Sequence, residues 1–542
     1  MLYINKSKKH PMWAMEYHRD EGLRIYWDED SYPFHTEGNG PLYRGKPALE
    51  YNHNQDVFAA TMVQRWFDYW RERPGTGKRV SGGGAKIVFS DTNTHCRGEE
   101  NYRRSGVTDA MRIPKDAFYV HQVMWDGWVS PEKDRTYIIG HWNFGNQYYN
   151  AKGELLGQAA TGPVERDVQV VSTADKVRLF LNGEEVEAKA KRSYQWLFTF
   201  RNIRFQAGKL EAIGYNADGQ ETSRYQLETA GKPAALKLTA IQNPLGFKAD
   251  GSDVALVQVE VVDNKGRRCP LDNRLVHFTL SGEGEYRGGI ARGYMDHSGH
   301  FVKRNDNYIL CDTLPVECGV NRILVRSTTT PGKITLKAEA EGLKPQKLTL
   351  STQAVETQGG LSSYQPGREL KGWLTRGETP ATPSYQDIYQ TVDIASASAI
   401  SNPDQVEATF DDNEYSSWAN DGQLSTGRID FTLVREAAIK DIAVKLGDWR
   451  TRRYQLEVFA DNQKVWEGIT PAGLGYVHLD IKHPVKALTY SIRLAGAAAD
   501  IDLSNTVGEL AGGKTNITEG KKGGKSQLKI VEIDFLEPIL AE

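Results

Sequence analysis

Two short runs near the start of the chain are apolar throughout, without alternation of apolar and polar residues. Each run is followed by a longer stretch in which apolar residues recur on one side of a helix. Residues 12–15 and 85–89 are typical of strands buried in a parallel sheet. Apolar residues recur at three- and four-residue steps over 55–73 and 113–128, which predicts two helices. Residues 82–84 are all glycine and predict a turn. The order strand, helix, strand, helix is typical of a β/α barrel.

After residue 136 the pattern changes to short alternating runs separated by turn residues. This pattern, with the hairpin signal Asn182-Gly183, predicts an antiparallel sandwich over 137–232. The same style predicts a second sandwich, of immunoglobulin type, over 233–352 and a third β module over 389–542. Residues 353–388 are rich in Gly, Ser and Pro, which predicts a linker. The predicted fold class is therefore multidomain and mostly β, beginning with an incomplete β/α (TIM) barrel at 1–136.

Composition narrows the function classes. The formal net charge of −3 over 542 residues provides no basic field for a phosphate backbone, which argues against nucleic acid as a partner. No apolar run reaches the roughly 18 residues that a membrane span needs, and residues 1–11 do not read as a signal peptide. The 12 Trp and 25 Tyr suit the faces of sugars, although protein cores use the same residues. The four cysteines match no metal motif, and bridges among Cys269, Cys311 and Cys318 stay open.

Polar side chains follow each of the two buried-strand patterns. They are Glu16, His18 and Arg19 after the first run, and Asp91, Asn93, His95 and Arg97 after the second. In a β/α barrel, residues past the C-terminal ends of the strands face the substrate. Glu16 is either a catalytic carboxylate or a salt-bridged strand end. The others are either ligands of sugar hydroxyls or of a carboxylate, or a hydrogen-bonded rim, and Trp125 is either a floor for the sugar or a core residue.

The first polar cluster carries a family resemblance. Residues 11–17, PMWAMEY, resemble strand seven of the catalytic barrel of glycoside hydrolase family 2, which includes β-galactosidases, β-glucuronidases and β-mannosidases. Residues 104–117, RSGVTDAMRIPKDA, resemble the closing segment of that barrel. Residues 177–183 and 249–265 resemble accessory β domains that follow such barrels. The resemblance implies that Glu16 is the nucleophile of a retaining exo-glycosidase of β-galactosidase or β-glucuronidase type.

A second resemblance concerns the third β module. FDDN at 410–413 and Ser417-Trp418 are similar to discoidin-type carbohydrate-binding jelly rolls. This resemblance implies a glycan-binding module, in which Tyr415, Trp449 and Arg450 are the candidate glycan contacts. Asp411 and Asp412 offer oxygen ligands suited to a structural Ca²⁺, or they form an ordinary solvated turn. No required cofactor is expected.

The family resemblance also implies what the chain lacks. A retaining glycosidase needs a second carboxyl group about 5–5.5 Å from the nucleophile, and in this family it belongs to an upstream Asn-Glu pair. Only fifteen residues precede Glu16, and the one Asn-Glu pair, Asn413-Glu414, lies in the third module. We therefore expect a C-terminal portion that is inactive alone and whose parent, periplasmic or secreted, acts on an oligosaccharide or polysaccharide. A homo-oligomer, a missing N-terminal portion and a non-catalytic carbohydrate-binding protein are the open alternatives.

Overall fold

The structure of the protein is a computed structural model. It describes residues 6–14, 18, 20–33, 42–43, 46–47, 52–72, 74–86, 88–92, 104–130, 132–144, 148–149, 155–156, 164–295, 301–303, 308–359, 361–362, 387–448, 452–471, 475–500 and 524–539. The chain forms two compact units: the first comprises 1–19, 64–87 and 383–542, and the second comprises 20–63 and 88–382. Most of the regular structure is strand, which confirms the predicted multidomain, mostly β fold class.

Two α-helices lie in the described part of the chain. Helix α1 is Gln55–Trp70, and helix α2 is Asp116–Val129. Both predicted helices are confirmed, although α1 ends three residues earlier and α2 begins three residues later than the patterns indicated. Neither helix, nor any other described one, is long and apolar enough to cross a membrane.

A two-stranded parallel sheet belongs to the first unit. Met12–Ala14 pairs with Ser81–Gly84, and Ala14 lies opposite Gly84. The predicted strand at 85–89 and the predicted turn at 82–84 are therefore wrong, because the glycines themselves form the strand. A Cβ at Gly83, whose φ is 137°, would lie 2.2 Å from the Trp13 ring, so the ring occupies the place of a side chain. Two parallel strands do not establish a barrel, and that assignment stays a prediction.

The third β module is also part of the first unit and consists of two sheets. One sheet has the order Tyr389–Val392, Lys529–Pro538, Asp441–Leu446 and Tyr476–Asp480, with Trp418–Ala419 also paired to Lys529–Pro538; the other has the order Ile394–Ala399, Arg428–Ala438, Lys486–Leu494, Gln455–Ala460 and Gln463–Ile469. Short 3₁₀ helices are Pro403–Thr409 and Leu424–Thr426. The sheets share one apolar core, in which Phe431 and Phe535 meet with centroids 5.5 Å apart. Trp418 is fully buried, and its indole N–H donates to the Ser401 carbonyl at 2.9 Å. The discoidin resemblance of this module stays a prediction.

A buried ionic cluster joins the parallel strand pair to the third module within the first unit. It comprises Lys6, Glu72, Arg79, Asp412, Glu414, Lys445, His478, Glu532 and Asp534. Arg79 is its centre, with Nε 2.6 Å from Asp534, Nη2 2.5 Å from Glu532 and Nη1 3.0 Å from Asp412. The backbone N–H of Lys6 donates to Glu414 at 2.8 Å, and Lys445 pairs with the same carboxylate at 2.5 Å.

The second unit contains a sandwich between residues 136 and 228. One sheet has the order Lys191–Ser193, Leu197–Arg204, Glu165–Ser172 and Thr136–Ile138; the other has the order Glu184–Glu185, Lys176–Leu181, Lys209–Tyr215 and Glu221–Glu228. Side chains from both sheets form one core that includes Val170, Leu179, Phe198 and Ala212. Asn182 and Gly183 have φ of 53° and 91°, so they form the predicted tight turn into Glu184–Glu185.

A second sandwich follows in the same unit. One sheet has the order Pro233–Ile241, Val254–Asp263, Val320–Ser327, Gly284–Gly289 and Tyr308–Ile309; the other has the order Phe247–Lys248, Gln346–Gln353, Lys333–Glu339, Leu275–Gly282 and Thr313–Pro315. They share one apolar core. Cys269, Cys311 and Cys318 are free thiols, so the described part of the chain holds no bridge among them. The immunoglobulin type of these sandwiches stays a prediction.

The remaining strands form two-stranded pairs. They are Glu21–Gly22 with Asn52–His53, Leu42–Tyr43 with Lys46–Pro47, Tyr148–Tyr149 with Leu155–Leu156, Gly293–Met295 with Phe301–Lys303, Thr357–Gln358 with Leu361–Ser362, and Arg452–Arg453 with Ala499–Asp500.

Arg79→Met should destabilise the first unit strongly. Removing one partner of a buried ion pair leaves uncompensated carboxylates and costs about 3–5 kcal/mol. We expect hydrogen exchange in Lys529–Pro538 to accelerate, while exchange in Glu165–Ser172 of the other unit stays unchanged. The control is Arg435→Met, which breaks a more exposed pair with Glu537 and should cost at most about 1 kcal/mol. Equal exchange rates in the two variants would contradict the importance of the cluster.

The first unit should also lose stability above neutral pH because of His478. Its ring nitrogens lie 2.5 Å from Asp441 and 2.9 Å from Glu72. Burial acts to lower the pKa of His478, yet the two carboxylates outweigh burial and raise this pKa above its ordinary value of 6.5. The folded state therefore holds the proton more tightly, so the stabilisation is complete below pH 6.5 and is lost as the pH rises through the raised pKa.

The measurement for His478 is the exchange of Tyr476–Asp480 as a function of pH. We expect the free energy of opening to fall above pH 6.5 in the native chain and to fall less in His478→Gln. His483→Gln, in the same module, removes an exposed histidine and should keep the native pH profile. Identical profiles for the native chain and His478→Gln would exclude this role of His478.

Candidate active site

The candidate nucleophile follows the first strand of the parallel pair. Glu16 itself lies outside the described residues, but the strand Met12–Ala14 ends two residues before it. Ala14 and Gly84 are register partners at the C-terminal ends of their strands, and the Ala14 carbonyl accepts from the Ala85 N–H at 2.8 Å. The segments after both strands therefore leave the sheet at the same edge. Barrel enzymes place catalytic side chains at this edge.

The described residues just past this edge contact each other. His18 is buried, and its carbonyl accepts a hydrogen bond of 3.2 Å from Lys86 Nζ. Lys86 comes two residues after the second strand, so this contact connects the segments that follow the two strands. Four of those candidates, Arg19, Asn93, His95 and Arg97, lie outside the described residues, and their roles stay predictions.

Asp91 takes part in a buried network of the second unit. Its Oδ1 lies 2.8 Å from Lys115 Nζ and accepts the N–H of Gly106 at 3.0 Å. Lys115 Nζ also donates to the carbonyls of Gly22 at 2.6 Å and Arg104 at 3.1 Å. Burial raises the pKa of Asp91 to about 7, although Lys115 and the Gly106 N–H act in the opposite direction. These contacts fit the rim-network alternative for Asp91, and sugar binding by it stays a prediction.

Lys115 is the residue of this network that the sequence did not single out. It directly precedes helix α2, in the segment that resembles the closing part of the family's barrel. A Cβ at Gly106 would lie 2.3 Å from the Asp91 backbone nitrogen, so the close approach of the two segments requires glycine there. The Pro-Lys dipeptide of that segment was the signal that could have identified Lys115 as the residue that connects this network.

A second polar hub of the same unit surrounds Arg24. Its Nε donates to Asp109 at 2.7 Å, and its Nη2 lies 3.5 Å from Glu317 and donates to the Val320 carbonyl at 3.1 Å. These contacts join the loop that follows Asp20 to the closing segment and the second sandwich. Asp20 lies 3.2 Å from His53 Nε2. Arg24 holds backbone carbonyls of the second sandwich, and neither Arg24 nor the Asp20–His53 pair was identified from the sequence pattern.

The two described aromatic candidates are exposed. Trp125 on helix α2 is 42% exposed, so it is not a core residue, and its contact with sugar stays a prediction. Tyr415 in the third module is 70% exposed. Trp449 and Arg450 lie outside the described residues, so the predicted glycan contacts of this module are not brought together by any described contact.

The predicted calcium ligands are hydrogen-bonded within the protein. Asp412 accepts from Ser7 Oγ at 2.6 Å, from the Lys8 N–H at 2.8 Å and from Arg79 at 3.0 Å. Asp411 accepts from the Asn413 N–H at 2.9 Å and Ser416 Oγ at 2.8 Å. No group of three or more metal-ligating side chains occurs among the described residues. Binding of Ca²⁺ by Asp411 and Asp412 stays a prediction.

Family models match both sandwiches. Residues 236–349 match the glycoside hydrolase family 2 C-terminal domain 5, and residues 164–223 match a domain of unknown function, DUF4982. The first match covers most of the second sandwich, and the second lies within the first sandwich.

Two curated relatives extend the similarity beyond these domains. A β-glucuronidase of Formosa agariphila is 34% identical over 358 residues, which are 66% of this chain and 32% of the relative. A β-galactosidase of Bacteroides ovatus is 30% identical over 251 residues, which are 46% of this chain and 25% of the relative. The matches span about a third and a quarter of the length of these relatives.

The fold is also similar to that of a solved enzyme. A structure described as a β-glucuronidase from glycoside hydrolase family 2 aligns with 90% of this chain and 50% of its own, with a TM-score of 0.55 and 24% identity. Together with the sequence matches, this similarity confirms the resemblance predicted above: the chain is related to the enzymes of glycoside hydrolase family 2 and is a glycoside hydrolase by resemblance.

Proposed function

We propose that this chain is the C-terminal portion of a retaining exo-glycosidase, in which Glu16 is the nucleophile. The observation that carries the proposal is the parallel pairing of Met12–Ala14 with Ser81–Gly84, because Glu16 comes two residues after the first of these strands in the sequence. The similarity to a β-glucuronidase and a β-galactosidase supports the same reaction class.

The chemistry requires a partner for Glu16. The Glu16 carboxylate attacks the anomeric carbon and forms a glycosyl-enzyme, while a second carboxyl group protonates the leaving oxygen and then activates water. We infer that this second group comes from strands other than the described pair. Parallel sheets are normally covered on both faces, yet Trp13 of the first strand is 59% exposed. This exposed aromatic ring supports a sheet that further strands complete.

The substrate class follows from the relatives and from two candidate residues. The relatives are named β-glucuronidase and β-galactosidase, so we propose a β-glucuronide or a β-galactoside in an oligosaccharide or polysaccharide. Arg19 and Arg97 favour the glucuronide, because a guanidinium binds a carboxylate in a bidentate manner. We also propose that the full-length parent is periplasmic or secreted, where polysaccharides are accessible.

A non-catalytic carbohydrate-binding role is the second candidate. The exposed Tyr415 supports it, since a free aromatic face on a β module suits a sugar ring. Binding of neutral glycans by the full chain, lost in Tyr415→Ala, would favour this role without affecting the assignment of Glu16.

The isolated chain should hydrolyse 4-nitrophenyl β-glucuronide and β-galactoside no faster than background. When it is joined to the family's upstream strands with their Asn-Glu pair, we expect turnover to appear. Glu16→Gln should then lower kcat by at least about a thousandfold, because an amide cannot serve as the nucleophile. The matched control is Glu29→Gln, an exposed glutamate in the following loop, which should retain activity.

Two results would contradict this proposal. Robust turnover by the isolated chain would show that no further strands are needed. Full activity of the joined protein carrying Glu16→Gln would exclude Glu16 as the nucleophile.

A further inference from the structure

A cavity of about 400 Å³ lies in the second unit, between helix α2 and the two sandwiches. Tyr119 of α2, Tyr137 and Tyr225 of the first sandwich, and Arg268 and Arg322 of the second sandwich line it. Its volume is within the range of small-molecule sites, about 300–1,000 Å³. None of these residues was among the candidates predicted from the sequence.

The cavity carries two guanidinium groups that form no ion pair with any described carboxylate. Arg322 is held by neutral acceptors: Nε and Nη2 donate to Gln258 Oε1 at 3.1 and 3.0 Å, and Nη1 donates to the Arg112 carbonyl at 2.8 Å. The Arg268 side chain is exposed and makes no hydrogen bond or ion pair with any described residue. Arg24, which also lines the cavity, differs because Asp109 neutralises it at 2.7 Å.

Burial makes the charge of Arg322, which has no ion-pair partner among the described residues, costly to hold. Removal from water lowers the pKa of the Arg322 guanidinium, and Asp109 offsets this effect only in part. A bound carboxylate would stabilise the charged form of Arg322, because a guanidinium forms stronger hydrogen bonds with a charged acceptor than with a neutral one.

The same cavity also presents aromatic rings and an acceptor. The rings of Tyr119 and Tyr137 are stacked with centroids 4.9 Å apart, and Tyr225 lies 4.8 Å from Tyr137. The carboxylate of Asp116 lines the cavity and accepts from Tyr137 Oη and the Gly140 N–H, each at 2.7 Å. A carboxylate has about four lone-pair sites, so Asp116 retains capacity for a ligand hydroxyl.

We propose that this cavity binds a sugar acid, namely a pyranose that carries a carboxylate. The carboxylate pairs with Arg268 and Arg322, the ring packs on the tyrosines, and a hydroxyl donates to Asp116. A neutral sugar leaves both guanidinium groups without an ion pair, and a compact polyanion such as phosphate brings more negative charge into a cavity that already holds the Asp116 carboxylate. The proposal stands on the lining of the cavity and does not require hydrolysis by the chain.

The test is isothermal titration of the full chain with sodium D-glucuronate, D-glucose and inorganic phosphate at constant ionic strength. We expect glucuronate to bind at least about tenfold more tightly than the other two, because only glucuronate satisfies both parts of the cavity. Arg268→Gln should weaken glucuronate binding by about tenfold. Because Arg268 has no side-chain partner among the described residues, this variant should retain the fold.

The matched control is Arg326→Gln. Arg326 lies on the same strand as Arg322, pairs with Glu285 and does not line the cavity, so the variant removes the same charge from a different place. Its affinity for glucuronate should stay within about twofold of the native value.

Several outcomes would overturn the proposal. They are the absence of glucuronate binding, equal binding of glucose, equal binding of phosphate, and binding that survives Arg268→Gln unchanged. The last outcome would place the glucuronate elsewhere on the chain. Because none of these measurements uses turnover, they separate the failure of this site from the failure of the proposed hydrolase.

Discussion

The buried ion pairs of Arg79 are the constraint on which the first unit depends. Charges removed from water are tolerated only when each has its partner, and Arg79 meets three carboxylates of the third module. Arg79 lies two residues before the strand Ser81–Gly84, and Lys6, which donates to Glu414, lies six residues before Met12. The starts of both parallel strands are therefore fixed by carboxylates of the third module that lie 333 to 455 residues away along the chain.

The sandwiches were predictable because their strands and turns are marked by short patterns of neighbouring residues. Alternation puts every second side chain into the core, as with Val168 and Val170, and Asn182-Gly183 adopts the positive φ values that its hairpin requires. The strand Ser81–Gly84 was not predictable from this rule. Its glycines have no side chains from which an alternating pattern could be recognised. The space beside Gly83 is filled instead by the Trp13 ring of the neighbouring strand.

The polar residues show the same limit of local patterns. Asp91 was identified because a polar cluster follows a buried run, but its partners Lys115 and Gly106 come from the closing segment. The ionic cluster draws on positions from Lys6 to Asp534, and no spacing rule connects residues that only the tertiary fold brings together. The cavity lined by Arg268 and Tyr119 arises in the same way, from elements that are separate in sequence.

The free thiols of the second sandwich have a practical consequence. Cys318 is buried and donates to the Arg24 carbonyl at 2.9 Å, and burial raises the pKa of its thiol to about 12. A protonated thiol is a poor nucleophile. Alkylating reagents should therefore modify the native protein slowly at this position and react rapidly once the sandwich opens. The rate at which Cys318 is alkylated therefore reports how often this sandwich opens, without the need to introduce a labelled residue.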